Sequence, residues 1–363
     1  MLKSIKDGNP TREKRNSNFE YIKLLAMFLI ILSSALPYGA TYGGGYNNSY
    51  INLNFTEFSI THIVYTFFRW CGQIGDTLFV VVTAWFLCDS KRVKLNKPIR
   101  MVLDAWVLSI CGLVIAIIYI QPSMIEIIHS LLPVRYRVNW FVSCYIIYYL
   151  IHPLLNKAVS DMSEVSFKNM VRILFITYSL LGTFQQEYYF TNLVGFVCIH
   201  YFVMYYKRGM HRDGDKTNNR RTISVALLII ILWIVVLNFV GQYKAMIKGM
   251  NLLGCTFMNP LIICIGVAVL DIAVRSDPVY NMKINRLTKY SLIIYLIHAN
   301  YFWLTYGKYA LINKLQQYFP LFATVVCMVI LYTTVTPILS WIYDRIFNNL
   351  LERISNKIEI IIK

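Results

Sequence analysis

Residues 223–240, ISVALLIIILWIVVLNFV, run for eighteen positions without a charged side chain. As an α-helix the stretch is about 27 Å long, close to the ~30 Å of hydrocarbon in a bilayer. It has neither the polar stripe of a surface helix nor the alternation of a half-buried strand. A helix satisfies its own backbone hydrogen bonds inside lipid, so it is the element expected to span there.

Similar runs recur along the chain: Phe19 to Leu36, Gly72 to Leu87, Met101 to Ile120, Trp140 to Leu155, Met170 to Leu181, Leu193 to Tyr206, Ile223 to Val240, Leu253 to Leu270, Tyr290 to Leu304 and Leu321 to Ile342. The fifth and sixth are the shortest. Of the 363 residues, 57% are hydrophobic and 15% charged, a balance that excludes an ordinary soluble domain. The expected fold class is therefore all-α, a polytopic membrane protein of about ten transmembrane helices. Three segments follow from this: a basic arm over residues 1–18, one transmembrane domain over 19–343, and an amphipathic tail over 344–363. In the tail Ile346, Leu350, Leu351, Ile354 and Ile358 fall at helical spacing, as in a helix lying on the inner leaflet.

The net charge of +17 raises the question of nucleic acid, and the distribution of the charge answers it. Of 35 Lys and Arg, 27 fall in alternate connections and in the two ends, and six fall in the opposite connections. Lys23 and Arg69 lie at span edges. This is the positive-inside pattern, and it predicts both termini in the cytoplasm of a multi-pass protein of the cell membrane. The expected partners are membrane lipids, with no nucleic acid. The first span, with its basic start and its small residues Ser33 and Ala35, also fits a cleaved leader. The eight cysteines show neither metal-ligand spacing nor a paired framework and read as small packing residues.

Ionisable side chains within spans are costly and mark candidate sites. Asp104 and Asp271 lie near the cytoplasmic ends of their spans, where an ion-paired structural role explains them, whereas Asp76 lies deeper. Histidine can take and return a proton near neutral pH. Among the six, His298 in mid-span and His62 on the outer side are the candidate bases, and each also fits a packing role. No nucleotide-binding glycine loop, metal cluster or nucleophile elbow is present.

Several stretches together resemble the membrane acyltransferase 3 family. They are Asn18-Phe19-Glu20-Tyr21-Ile22-Lys23 in the first span, Gly72 through Phe79 to Phe86 and Leu87 leading into the basic loop Lys91 to Arg100, Trp140-Phe141 followed by Tyr145, Tyr148, Pro153 and Asn156, and Tyr295-Leu296-Ile297-His298. The resemblance implies transfer of an acyl group, usually acetyl from acetyl-CoA, to a hydroxyl of a cell-surface polysaccharide such as a capsule or exopolysaccharide, or of its precursor. It implies a basic residue at Lys23 and, ten intervening positions later, a histidine; this chain has Ser34 there. On that basis His298, His62 and Ser34 are the expected catalytic residues, with Ser34 a hydrogen-bonding partner or transient acyl carrier. Lys23, Asp76 and Trp140 are expected to hold substrate, Arg92 and Arg100 the phosphates of the donor, and no metal is implied. A non-catalytic family member, or a component of polysaccharide transport or polymerisation, stays open beside this reading.

Overall fold

The computed structural model describes residues 15–36, 39–40, 46–47, 58–136, 138–184, 192–210, 218–241 and 253–362. Most of the expected basic arm, the Gly- and Tyr-rich connection of residues 38–50 apart from two short strands, and His211 lie outside them. The described chain is helical: α1 (Asn18–Ala35), α2 (Ile60–Leu87), α3 (Asn96–Tyr119), α4 (Met124–Leu131), α5 (Trp140–Ala158), α6 (Glu164–Leu174), α7 (Asn192–Met210), α8 (Asn219–Gly241), α9 (Pro260–Arg275), α10 (Met282–Thr288), α11 (Ser291–His298), α12 (Lys308–Gln316) and α13 (Leu321–Ile362). A minimal antiparallel ladder pairs Gly39–Ala40 with Tyr46–Asn47 between α1 and α2.

Among the described residues, five helices are long and apolar enough to cross a bilayer: α1, α2, α3, α8 and α13. The other expected spans are interrupted or carry more polar side chains. The fifth is α6 followed by a π-helical stretch, Phe175–Leu181. The ninth breaks after His298 and resumes through a second π-helical stretch, Trp303–Gly307, into α12. α13 runs for 42 residues through Asp344, so the residues expected to form an amphipathic tail lie on the same helix as the last expected span. Their apolar spacing simply prolongs the period of α13, and no proline or glycine follows Pro337 to end it.

The contacts sort the helices into a bundle with two ends. Where α1 begins, Phe19 packs edge-on against Phe86 of α2, and Asn18 Nδ2 donates to the carbonyls of Ala273 in the last turn of α9 and of Asp277 just beyond it. Ser17 bonds Asn281 and Asn285, and Lys289 pairs with Asp344 of α13 at 2.9 Å. At the opposite end, the C-terminus of α1 meets Arg69 and α12. The basic segments around Lys91, Lys157, Lys207, Arg275 and Lys289 thus share the end at which α1 begins.

Two glycines set the closest helix pair. A Cβ at Gly72 would lie 2.6 Å from the Cβ of Ser33, and one at Gly75 would lie 2.6 Å from the carbonyl oxygen of Ala26. Only hydrogen at both positions lets α2 lie this close along α1, the small-residue device of helix pairs in lipid. Thr77 then ties α2 across the bundle to the carbonyl of Phe257 at 2.8 Å, while Gln73 Oε1 accepts from the Phe257 amide at 2.8 Å. These bonds place Asp76 and Arg69, seven residues apart on α2, at the centre of the packed helices.

Candidate active site

The break after His298 is built from side-chain chemistry. Asn300 Oδ1 accepts from the amides of Phe302 (3.1 Å) and Trp303 (3.4 Å), capping the next helical stretch, and its Nδ2 donates to the carbonyl of Leu108 on α3 (3.1 Å). Non-helical backbone at this depth is tolerated because its polar groups are met by protein.

His298 closes α11 and is 1% exposed. Its Nδ1 lies 2.8 Å from the carbonyl oxygen of Ile294, one turn back. A carbonyl only accepts, so Nδ1 carries the ring proton and Nε2 presents a lone pair. That nitrogen is buried and has no hydrogen-bond partner among the described residues. The ring is fixed edge-on by Tyr295 (5.5 Å) and by Tyr332 (5.8 Å), and it forms part of the wall of an apolar cavity of about 730 Å3.

His200 is the opposite case. Asn156 Nδ2 donates to the carbonyls of Leu87 (2.8 Å) and Ser90 (2.9 Å), which turns its Oδ1 toward His200 Nε2 (2.8 Å). Nε2 therefore holds the proton, and Nδ1 accepts from the Tyr148 hydroxyl at 2.7 Å. Both nitrogens are committed, so His200 locks α7 to α5 and has no lone pair to offer. His152 repeats the His298 pattern, with Nδ1 2.6 Å from the Tyr149 carbonyl and a buried Nε2 without a partner, and it differs in lining none of the three cavities. His62 lies in the first turn of α2, seven residues or about 10 Å along the helix beyond Arg69.

Two cations meet at the end of α1. Lys308, buried at the start of α12, donates from Nζ to the Ser34 carbonyl at 2.7 Å, and Arg69 Nη1 donates to Ser33 Oγ at 3.2 Å. Lys308 lies within electrostatic reach of both Arg69 and His298, and Arg69 within reach of Asp76. The structure therefore gathers His298, the Ser34 backbone and Asp76 around two cations that the sequence reading had left at a loop and a span edge. The sequence signal for Lys308 was a single cation in the aromatic and apolar run from Tyr301 to Ile312.

Toward the other end, Lys23 pairs with Glu20 at 3.0 Å, and Glu20 also pairs with Arg15 at 2.7 Å. Lys23 lines a cavity of about 240 Å3 together with Thr83, Tyr145, Lys289 and Tyr295, and Thr83 Oγ1 donates to the Tyr145 hydroxyl at 3.3 Å. Tyr295 thus contacts this cavity and the His298 ring alike. Phe141 lines the cavity, while its neighbour Trp140 packs on Phe257 at 6.0 Å and does not.

A third space, about 390 Å3, lies where α1 begins and is lined by Asp89, Lys91, Asn156, Lys207 and Arg208. Lys207 donates to Asp89 at 2.5 Å and to the Trp85 carbonyl at 2.9 Å, and it stands over the Trp85 ring at 4.2 Å. The two arginines expected to hold phosphate lie elsewhere. Arg92 is exposed and outside this lining, and Arg100 is bound to Asp104 at 3.1 Å and to the Asn348 carbonyl at 3.1 Å. Asp104 in turn accepts from Tyr343 at 2.8 Å, so Arg100 joins α3 to α13.

The family profile of the acyltransferase domain matches residues 16–344. Comparison with curated proteins and with solved structures gave no match. The matched span takes in every described helix up to the middle of α13, including Lys23, His298 and Lys308. The chain therefore belongs to the acyltransferase 3 family, and it is a membrane protein of the acyltransferase class.

Proposed function

We propose that this protein is an O-acyltransferase that moves an acetyl group from acetyl-CoA to a hydroxyl of a cell-surface polysaccharide or its precursor. In this reading ten crossings separate two cytoplasmic termini. The gathering of basic segments at the end where α1 begins supports that orientation. The acceptor class rests on the family resemblance alone.

The observation that carries the catalytic reading is His298, with its proton held on Nδ1 by the Ile294 carbonyl and a buried, unpartnered lone pair on Nε2. Leaving such an acceptor unsatisfied costs about 1–3 kcal/mol, a cost that a proton-accepting role explains. Nε2 takes the proton of the acceptor hydroxyl while its oxygen attacks the thioester carbonyl carbon. The carbon–oxygen bond forms, the carbon–sulfur bond breaks, and the departing thiolate recovers the proton from the imidazolium. Lys308 and Arg69 bring positive charge to the place where the thioester oxygen becomes negative. At the cytoplasmic end Lys91, Lys207 and Arg208 suit the phosphates of the donor, and the cavity beside Lys23 suits its extended arm.

The test is transfer of labelled acetyl from acetyl-CoA in membranes containing equal amounts of each variant. His298→Ala is expected to lose about 10²–10⁴-fold in rate, the range for removing a general base, while His152→Ala retains it. A His298→Ala variant as active as the parent would remove the proposed base.

A further inference from the structure

Helix α4 is turned inside out for a helix in water. Its polar Glu126 and Ser130 are 8% and 1% exposed, while its apolar Ile125 and Ile128 are 62% and 45% exposed, with Met124, Leu131 and Leu132 open beside them. A helix on an aqueous surface shows the reverse. The inward groups are used: Glu126 holds Tyr301 and Tyr306, and the Ser130 hydroxyl donates to the Glu126 carbonyl at 2.8 Å. The contacts also fix where the segment lies. Ile127 packs on a cluster that includes Leu113 and Ala116 of α3. Farther along, the Leu131 carbonyl accepts from Trp106 Nε1 at 3.1 Å, and Val134 packs on a cluster that includes Ala105. Val138 is again on the cluster that holds Ile127. The chain thus runs back beside α3 and then returns. Its farthest contacts on α3, at Ala105 and Trp106, are about 20 Å from the end of that helix at Tyr119.

α3 is long and apolar enough to cross a bilayer, and it leaves Val114, Ile117 and Ile118 exposed at the level where α4 begins. Eight residues, about 12 Å of helix, are too few for α4 to cross as well. We propose that α4 is a re-entrant helix, which enters the leaflet at the end of the bundle where α1 finishes and leaves by the same face. Ile125, Ile128 and Leu132 meet lipid hydrocarbon there, continuing the lipid-facing side of α3. On its inner side the helix covers the break after His298. Backbone without helical hydrogen bonds is tolerated at such depth only behind protein. Just past the break, Tyr301 bonds Glu126 and Phe302 belongs to the cluster on which Ile127 packs. The segment adds no crossing, so the sidedness of the chain is unchanged. The inference needs only the membrane class and holds whatever group the protein transfers.

In the experiment the full-length protein, in its membranes, carries a photoreactive diazirine residue at one position at a time: Met124, Ile128, Leu131, Phe302 or the exposed Asp161. The products of illumination are read by mass spectrometry. The expected result is lipid adducts at Ile128 and Leu131 at least tenfold above those at Asp161, attached to acyl chains at Leu131 and nearer the glycerol at Met124, with none at Phe302. Water adducts at Ile128 and Leu131 would put the helix in solvent and overturn the proposal. Attachment near the glycerol from Met124 and Leu131 alike would make α4 an interfacial helix lying flat and overturn the re-entrant path. Links between two copies of the chain would make the exposed face a protein interface and overturn its contact with lipid. Lipid adducts at Phe302 would overturn the cover over the break.

Discussion

Three buried histidines are each held through one ring nitrogen, and the other nitrogen decides what each can do. In His200 it is used by Asn156, in His152 it is sealed in the core, and in His298 it is buried without a partner in a residue that lines a cavity. The sequence shows a histidine in mid-span but cannot show which nitrogen is free, since that depends on the Ile294 carbonyl and on the helix break. Lys308 was missed as a site residue for a related reason: it stands past the end of an expected span, and only packing shows it buried on the Ser34 carbonyl. Arg100 shows the converse, a basic-loop cation consumed by an aspartate one turn on. In the proposed mechanism the charge at Lys308 acts on the transfer step and not on donor binding. Lys308→Met is therefore expected to lower kcat about 10²–10³-fold, as for loss of one preorganised charge donor, with KM for acetyl-CoA nearly constant and partial recovery in Lys308→Arg. A change confined to KM would place Lys308 in binding instead.

At the scale of the element, α4 shows how a short helix is held without crossing anything. Ser123 Oγ accepts from the Glu126 amide, and the Glu126 carboxylate accepts from the Ser123 amide at 2.8 Å, a reciprocal cap. The same carboxylate accepts from Tyr306 at 2.7 Å and Tyr301 at 3.2 Å, tying α4 to the chain that follows His298. Burial opposes ionisation of Glu126, but the hydrogen bonds from Tyr306 and Ser123, then Tyr301, outweigh it and hold the carboxyl below its usual value of 4.5. A lowered folded-state value means that this contribution is complete above about pH 4.5 and is lost as pH falls through the lower value. Hydrogen exchange should show the α4 amides losing protection on acidification, and Glu126→Gln should expose them at neutral pH. Protection that stays constant into the acid range would show that α4 is held by its apolar face alone. Residues 124–131 fall between two expected spans and carried no helix in the sequence reading, and the anchor of α4 could not be read locally, because Tyr301 and Tyr306 are about 180 residues away.

For the whole molecule, the membrane class and the helical architecture could be read directly, since uncharged runs such as residues 223–240 admit no other home. The extent of individual spans could not. Asn300 interrupts the ninth, a π-helical stretch interrupts the fifth, and α13 carries the helix of the last without a break into the expected tail. The residues around Lys23 and His298 carried the family resemblance, and the profile match over residues 16–344 places the chain in that family. Ser34, where the resemblance implies a histidine, sits beside Lys308 and within the same polar cluster as His298. The account therefore makes surface acetylation depend on His298 and not on a base in the first span. The most direct measurement compares O-acetyl signals by NMR in surface polysaccharide from cells lacking the gene, cells with it restored, and cells carrying His298→Ala or Ser34→Ala. The account predicts loss on deletion, recovery with the parent and with Ser34→Ala, and no recovery with His298→Ala. Unchanged acetylation on deletion, or full recovery with His298→Ala, would contradict it.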